Sequence, residues 1–168
     1  MPSPALLETL RTMLQRELAS VRKSIEAYPD EKSIWAERPG LPNSGGTLAL
    51  HLAGNLQHYY GALLGETGYV RQRDLEFSRR GVPRKELLAG LDAARLAIDA
   101  GMKAVTPERL TDPYPEQLGG HTLTVGEVIF DMESHLAFHL GQLDYHRRVV
   151  TGDATSIGAV SIAELRPK

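Results

Sequence analysis

The stretch that decides the fold is residues 124–152, TVGEVIFDMESHLAFHLGQLDYHRRVVTG. It begins with Thr124 and has Glu127 three residues later, the arrangement of a capping box at a helix N-terminus. Apolar residues then recur every three or four positions, and Gly152 supplies a helix C-terminus. The spacing predicts one long amphipathic helix over this stretch.

Three earlier stretches show the same helical period. The helices are expected at Ala5–Tyr28, Thr47–Leu64 and Pro83–Pro107, with Thr47 as the N-cap of the second. Strand-like alternation is scarce, so the four long stretches predict an all-α protein built as a four-helix bundle. We expect one domain over residues 1–168, with a helical core at about 5–152 and a C-terminal tail at 153–168.

Composition narrows the classes of protein that this chain can be. Its 168 residues are 42% hydrophobic and 24% charged, which is enough apolar material for the core of one domain. Nineteen Lys and Arg against 21 Asp and Glu leave a net charge of −2, so no basic surface for nucleic acid or anionic lipid is expected. No stretch approaches the roughly 20 apolar residues of a membrane span. We therefore expect a cytoplasmic protein that binds neither nucleic acid nor membranes.

The chain has six histidines and no cysteine. The missing cysteine excludes disulfides, thiolate zinc sites, iron–sulfur clusters and a cysteine nucleophile. Any metal must therefore be held by histidine and carboxylate side chains.

Five of the six histidines lie on the second and fourth predicted helices. At about 100° per residue, polar residues on the second helix fall within a sector of about 60° of its circumference, and those on the fourth fall within about 80°. Each set therefore forms a line along one side of its helix. The first line comprises His51, Asn55 and His58, and the other comprises Asp131, His135, His139, Gln142 and His146. Both lines border the apolar face of their helix. Buried imidazoles need partners, so the two lines call for a joint explanation.

A metal ion is one explanation of the two lines. His135 and His139 are one turn apart, the spacing that lets two imidazoles of one helix reach the same ion. A histidine of the second helix would complete a three-histidine site, and spacing alone does not choose between His51 and His58. The alternative is a buried hydrogen-bond network without metal. His121 is expected to be an ordinary loop residue.

The segments TLALHLAGNLQHYYGALLG (47–65) and ESHLAFHLGQLDYHRR (133–148) resemble the DinB/YfiT-like metalloenzymes. The resemblance covers roughly residues 5–152. It implies an up-down-down-up bundle whose metal ligands are His51, His135 and His139, with His58 and His146 outside the ligand set. In that arrangement His58 points toward Asp131 and Met132, while Gln142 and His146 approach the loop at 35–46.

The resemblance also implies a function. Its members of known activity are largely transferases or isomerases that use a low-molecular-weight thiol with zinc or nickel, and many are homodimers. We expect such a thiol transferase acting on a small-molecule substrate, with the thiol arriving from solution because the chain has no cysteine. The alternatives are a metal-dependent hydrolase of small esters or amides and a non-catalytic, dimeric metal- or ligand-binding bundle.

No residue is assigned as the catalytic group from the sequence. Asn55, Asp131 and Gln142 are the candidates to orient a metal ligand or to transfer a proton, because they lie on the same helix faces as the histidines. A group of arginines before and at the start of the third helix is expected to be a solvated loop rather than an anion site. It comprises Arg71, Arg73, Arg79, Arg80 and Arg84.

Overall fold

The computed structural model describes residues 4–157, and the all-α prediction is confirmed because helices form the architecture and these residues contain no β-strand. The α-helices are α1 (Pro4–Glu26), α2 (Glu31–Ile34), α3 (Gly45–Leu56), α4 (Arg73–Ser78), α5 (Arg84–Ala104) and α6 (Val125–Thr151). A π-helical turn, Gln57–Ala62, continues α3, and a 3-10 turn, Glu108–Thr111, precedes α6.

The four long helices, α1, α3, α5 and α6, pack around one apolar core. Each contributes fully buried side chains, of which Leu14, Leu52, Ile98 and Leu136 are examples. Burying such a side chain stabilises the fold by about 1.5–3 kcal/mol. None of the helices within residues 4–157 combines the length and apolarity needed to cross a lipid bilayer.

The helices α3 and α6 run antiparallel and frame the region where the histidines meet. His51, near the start of α3, lies beside His135 of α6. Nine residues further on, the Tyr60 hydroxyl donates to the carbonyl of Ile129, 3.1 Å away and closer to the start of α6. Residue numbers therefore increase along one segment while they decrease along the facing part of α6. The two helices are antiparallel, and their side chains face each other along their length.

The second predicted helix begins earlier than expected. Its N-cap is Ser44, whose hydroxyl accepts a hydrogen bond from the Thr47 backbone N–H, so the prediction of Thr47 as N-cap is wrong. Gly45 and Gly46 form the start of the helix, where the chain packs closely on aromatic rings. A Cβ on Gly46 would lie 2.4 Å from the Trp35 ring. The glycines therefore serve tertiary packing rather than ending a loop.

The helix α6 starts and ends where the sequence predicts. The Thr124 hydroxyl accepts from the Glu127 N–H, and the Glu127 carboxylate accepts from the Thr124 N–H, so the capping box is confirmed. Gly152 ends the helix in the left-handed conformation, with φ 73°.

The chain beyond α6 folds back onto that helix as far as residue 157. The fully buried Arg147 guanidinium donates to the Asp153 carboxylate at 2.8 Å and to the Thr155 carbonyl. Asp144 accepts from the Ser156 hydroxyl at 2.8 Å. The first residues of the expected tail are thus tied to the helix by buried charges. The remainder, 158–168, lies outside the described residues.

Candidate metal centre

Three histidines from α3 and α6 meet between the two helices. His51 Nε2 lies 3.2 Å from His135 Nε2, which lies 3.1 Å from His139 Nε2. One ring nitrogen of each lies within 4.8 Å of the other two, a grouping that can hold a metal ion. Of the two histidines that spacing left open, the structure brings His51 to the pair and places His58 elsewhere.

Hydrogen bonds on the far side of two rings fix which nitrogen carries the proton. His51 Nδ1 lies 3.0 Å from a Glu76 carboxylate oxygen, which only accepts, so Nδ1–H donates. His139 Nδ1 donates in the same way to the Gln142 amide oxygen at 2.7 Å. In the neutral rings, each Nε2 therefore presents a lone pair to His135.

A metal cation between the rings would coordinate these converging lone pairs. His135 can supply at most one hydrogen to two neighbouring nitrogen lone pairs, so hydrogen bonding among the three rings cannot satisfy them all. The His135 Nδ1 is itself buried and has no hydrogen-bond partner within residues 4–157. Three neutral imidazoles are a common ligand set for divalent metals.

The protonation behaviour of two of the rings supports the same interpretation. Burial, with added repulsion from His139 and His51, lowers the pKa of His135 to about 4. Burial also lowers the pKa of His139, although the hydrogen bond to Gln142 opposes that shift. Both rings are therefore neutral near pH 7 even without metal. Neutral imidazole is the form that binds metal ions.

Glu76, on the short helix α4, is the site residue that the sequence analysis missed. Its buried carboxylate accepts from His51 and from Arg71, whose Nε and Nη2 lie 2.7 and 2.8 Å from the two oxygens. Burial opposes ionisation, but the hydrogen bonds from Arg71 and His51 outweigh it and lower the pKa of Glu76. Glu76 is therefore an ionised carboxylate behind His51, held by a guanidinium.

Gly54 explains how the Glu76 carboxylate reaches the centre. It lies one turn after His51 on α3, and a Cβ there would be 2.2 Å from Glu76 Oε1. Glycine in a helix interior costs about 1 kcal/mol relative to alanine, so its presence signals a close approach. This glycine, within HLAGN, is the one sequence signal that could have pointed to a neighbouring side chain.

The first residue of the arginine group, Arg71, contacts a protein side chain rather than solvent. The Arg71 side chain is only 10% exposed, so the prediction of a solvated loop is wrong for this residue. The reason is its bidentate pairing with Glu76. Arg79 pairs with Glu86 at 2.6 Å, and Arg84 donates to a backbone carbonyl.

The three polar residues proposed to support the ligands have different positions. Gln142 contacts His139 directly. Asn55 is buried, and its side-chain oxygen has no hydrogen-bond partner among the described residues. Asp131 is exposed and forms no hydrogen bond to any of the three histidines in residues 4–157. The structure therefore brings Gln142 to the centre and leaves Asp131 outside it.

The remaining histidines have protein partners of their own. His58 Nε2 lies 2.9 Å from a Glu116 oxygen, so the prediction that it points toward Asp131 is wrong. His58 lies in the π-helical turn that continues α3, where the angle per residue differs from that of an α-helix. His121 lies in an exposed turn, as expected.

His146 contacts the loop at 35–46, as the resemblance implied. Its Nε2 donates to the Ala36 carbonyl at 2.8 Å, which leaves Nδ1 to accept from the Tyr28 hydroxyl at 2.7 Å. The ring is 1% exposed and makes no hydrogen bond to the other histidines among the described residues. The predicted approach of His146 to the loop at 35–46 is confirmed.

The fold and the site define an all-α protein with a three-histidine centre between two antiparallel helices. A family model, the DinB superfamily, matches residues 13–143. The chain belongs to the DinB superfamily, and the matched range contains all three histidines. Comparisons with curated proteins and with solved structures give no match.

Proposed function

We propose that this protein is a metal-dependent transferase that uses a low-molecular-weight thiol, with His51, His135 and His139 holding zinc or nickel. The observation that carries the proposal is the convergence of three imidazole nitrogens, one from each histidine, within 4.8 Å of one another. Neutral ligands leave the ion its full charge, and three protein ligands leave coordination positions for other molecules, as in catalytic zinc sites.

When bound, the ion lowers the pKa of a coordinated thiol and so supplies a thiolate at neutral pH. The chain has no cysteine, so the thiol comes from solution. In the overall reaction, the thiol S–H proton is released and a bond forms between sulfur and an electrophilic carbon. The bond from that carbon to chlorine or to the epoxide oxygen breaks, and the electron pair goes to that atom. Chloride departs from a chlorinated aromatic, whereas the epoxide oxygen stays in the product and takes up a proton.

The chain's own residues orient the ligands. Glu76 accepts a hydrogen bond from the Nδ1–H of His51. This bond fixes the ring and makes the Nε2 lone pair a stronger metal ligand. Arg71 holds both Glu76 oxygens, so the carboxylate cannot rotate away. Gln142 fixes His139 in the same way, with a neutral acceptor.

The test measures metal content and turnover on the same preparations. Zinc- and nickel-loaded protein is assayed with glutathione-like thiols and a chlorinated aromatic or an epoxide, and product formation is followed by chromatography. We expect thiol-dependent conjugation in the native chain and its loss in His51→Ala and His139→Ala. The control His121→Ala changes an exposed turn residue and should retain activity.

Other outcomes of this test separate the remaining functions. Ester or amide cleavage without thiol would show a hydrolase. Metal retained by the native chain with neither reaction would show a non-catalytic binding module. Conjugation that survives in both alanine variants would contradict the proposed site.

A further inference from the structure

An open cavity of about 470 Å³ lies beside the metal centre, between α6 and the loop at 40–43. Carbon atoms dominate its walls, which include Leu41, Pro42, Leu48, Phe138 and Tyr145. The volume is in the range typical of pockets for small molecules.

The cavity and the centre share two side chains. Gln142 lines the cavity and also accepts a hydrogen bond from the Nδ1–H of His139. Phe138 lines it too, and its ring centroid is 5.4 Å from that of His139. A molecule in the cavity would therefore lie against residues that contact a ligand histidine.

The polar groups of the cavity offer little to an ionic ligand. No Asp, Glu, Lys or Arg of residues 4–157 lines it. Both ring nitrogens of His146 are occupied, by Tyr28 and by the Ala36 carbonyl, and the Gln142 oxygen is occupied by His139. The other polar side-chain groups of the wall, the Asn43 amide, the Gln142 amide nitrogen and the Tyr145 hydroxyl, carry no charge. A charged group entering here would lose hydration without gaining a partner of opposite charge.

Gly141 is an exposed residue in the wall of the cavity. It lines the wall from within α6, and a Cβ built there meets no atom within 4 Å. Glycine destabilises a helix interior relative to alanine, and no close neighbour among the described residues requires it here. Space is therefore open at this position, and a larger side chain there can be used to fill the cavity.

We propose that this cavity binds an uncharged apolar group, an aryl or short alkyl group, of the electrophilic substrate. The catalytic meaning rests on the proposed function, but binding of the group does not require the reaction. The apolar walls remove part of the group's surface from water, and the shared Gln142 and Phe138 place the group against residues that contact the ligand His139.

The test uses three ligands of the same shape and different charge: benzyl alcohol, benzoate and benzylammonium. Their binding to the native chain is measured by ligand-detected NMR and calorimetry. Gly141→Leu fills the cavity, and Ala137→Leu adds the same side chain at an exposed position of α6 that does not line it. Thermal unfolding confirms that both variants fold.

We expect benzyl alcohol to bind at least tenfold more tightly than either ion. Gly141→Leu should weaken benzyl alcohol at least tenfold, and Ala137→Leu should leave its affinity unchanged. Equal binding of all three ligands, or native affinity in Gly141→Leu, would overturn the proposal. The proposal would also be overturned if a second copy of the chain closes the cavity. In that case Gly141→Leu would change the oligomeric state, and benzyl alcohol would bind weakly to the native chain and to both variants.

This test and the test of function can fail separately. If the binding pattern holds and no thiol conjugation is found, the cavity assignment stands and the transferase proposal fails. If conjugation is found and Gly141→Leu leaves both benzyl alcohol affinity and the KM for an aryl electrophile unchanged, the cavity assignment fails alone.

Discussion

Replacing Glu76 by glutamine tests whether the carboxylate behind His51 supports the centre. The substitution keeps the shape of the side chain but removes its charge, and it leaves the nearly buried Arg71 guanidinium with a neutral partner. Removing one member of a buried ion pair costs about 3–5 kcal/mol, and a hydrogen bond to a charged group is worth about 1.5–3 kcal/mol. Because the amide keeps one accepting oxygen, we expect a loss of about 2–4 kcal/mol in the free energy of unfolding.

The effect on metal affinity is a separate expectation of the same variant. Partners that hold the outer nitrogen of a metal-bound histidine contribute about 10–100-fold to affinity. Glu76→Gln should therefore weaken zinc binding by about that factor, since His51 loses its ionised acceptor.

Urea unfolding with chelator present measures the first effect, and competition with a zinc indicator measures the second. The matched control is Glu86→Gln, which makes the same change in an exposed arginine pair with Arg79, 2.6 Å apart. Exposed pairs contribute about 0–1 kcal/mol, so this control should be nearly neutral in stability and in zinc affinity. The reasoning is refuted if Glu76→Gln costs no more stability than Glu86→Gln and binds zinc as the native chain does.

Two further predictions concern close packing and pH. Gly54→Ala would set a Cβ 2.2 Å from Glu76 Oε1 and should displace the carboxylate, so zinc affinity should fall by about tenfold or more. Gly90→Ala, where a Cβ meets only Ala53 at 3.4 Å, should leave zinc affinity unchanged; equal affinities in the two variants would contradict the packing argument. Burial lowers the pKa of His146 below its ordinary 6.5, so the unfolded chain binds a proton that the folded chain excludes. The metal-free chain should therefore lose stability as pH falls below about 6.5, and urea titrations should show a shallower loss in His146→Gln; identical slopes would exclude this ring as a source of the pH dependence.

The parts of the fold that follow local rules could be predicted from the sequence. The capping box of Thr124 and Glu127 and the helical period of the apolar residues identified α6 and the all-α class. The start of α3 could not be predicted, because Gly45 and Gly46 usually indicate a loop. Here both lie at the start of α3, and glycine is required because Tyr28 and Trp35, distant in sequence, occupy the space that a Cβ would take.

The candidate site divides in the same way. His135 and His139 follow from spacing within one helix, and that spacing is preserved in α6. His58 could not be separated from His51 by an ideal helical wheel, because seven residues make nearly two full turns and place both residues on the same face. Glu76 could not be found by periodicity, because it reaches His51 from a short helix 25 residues later in the chain.

Zinc titration of the metal-stripped chain by calorimetry tests the central claim most directly. The native chain should bind about one zinc ion, and His51→Ala, His135→Ala and His139→Ala should each weaken it by more than about 100-fold, since even outer partners contribute 10–100-fold. His58→Ala, which removes a histidine of the same helical segment that pairs with Glu116, should bind zinc as the native chain does. Native zinc affinity in any of the three triad variants, or loss of zinc binding in His58→Ala, would contradict the account.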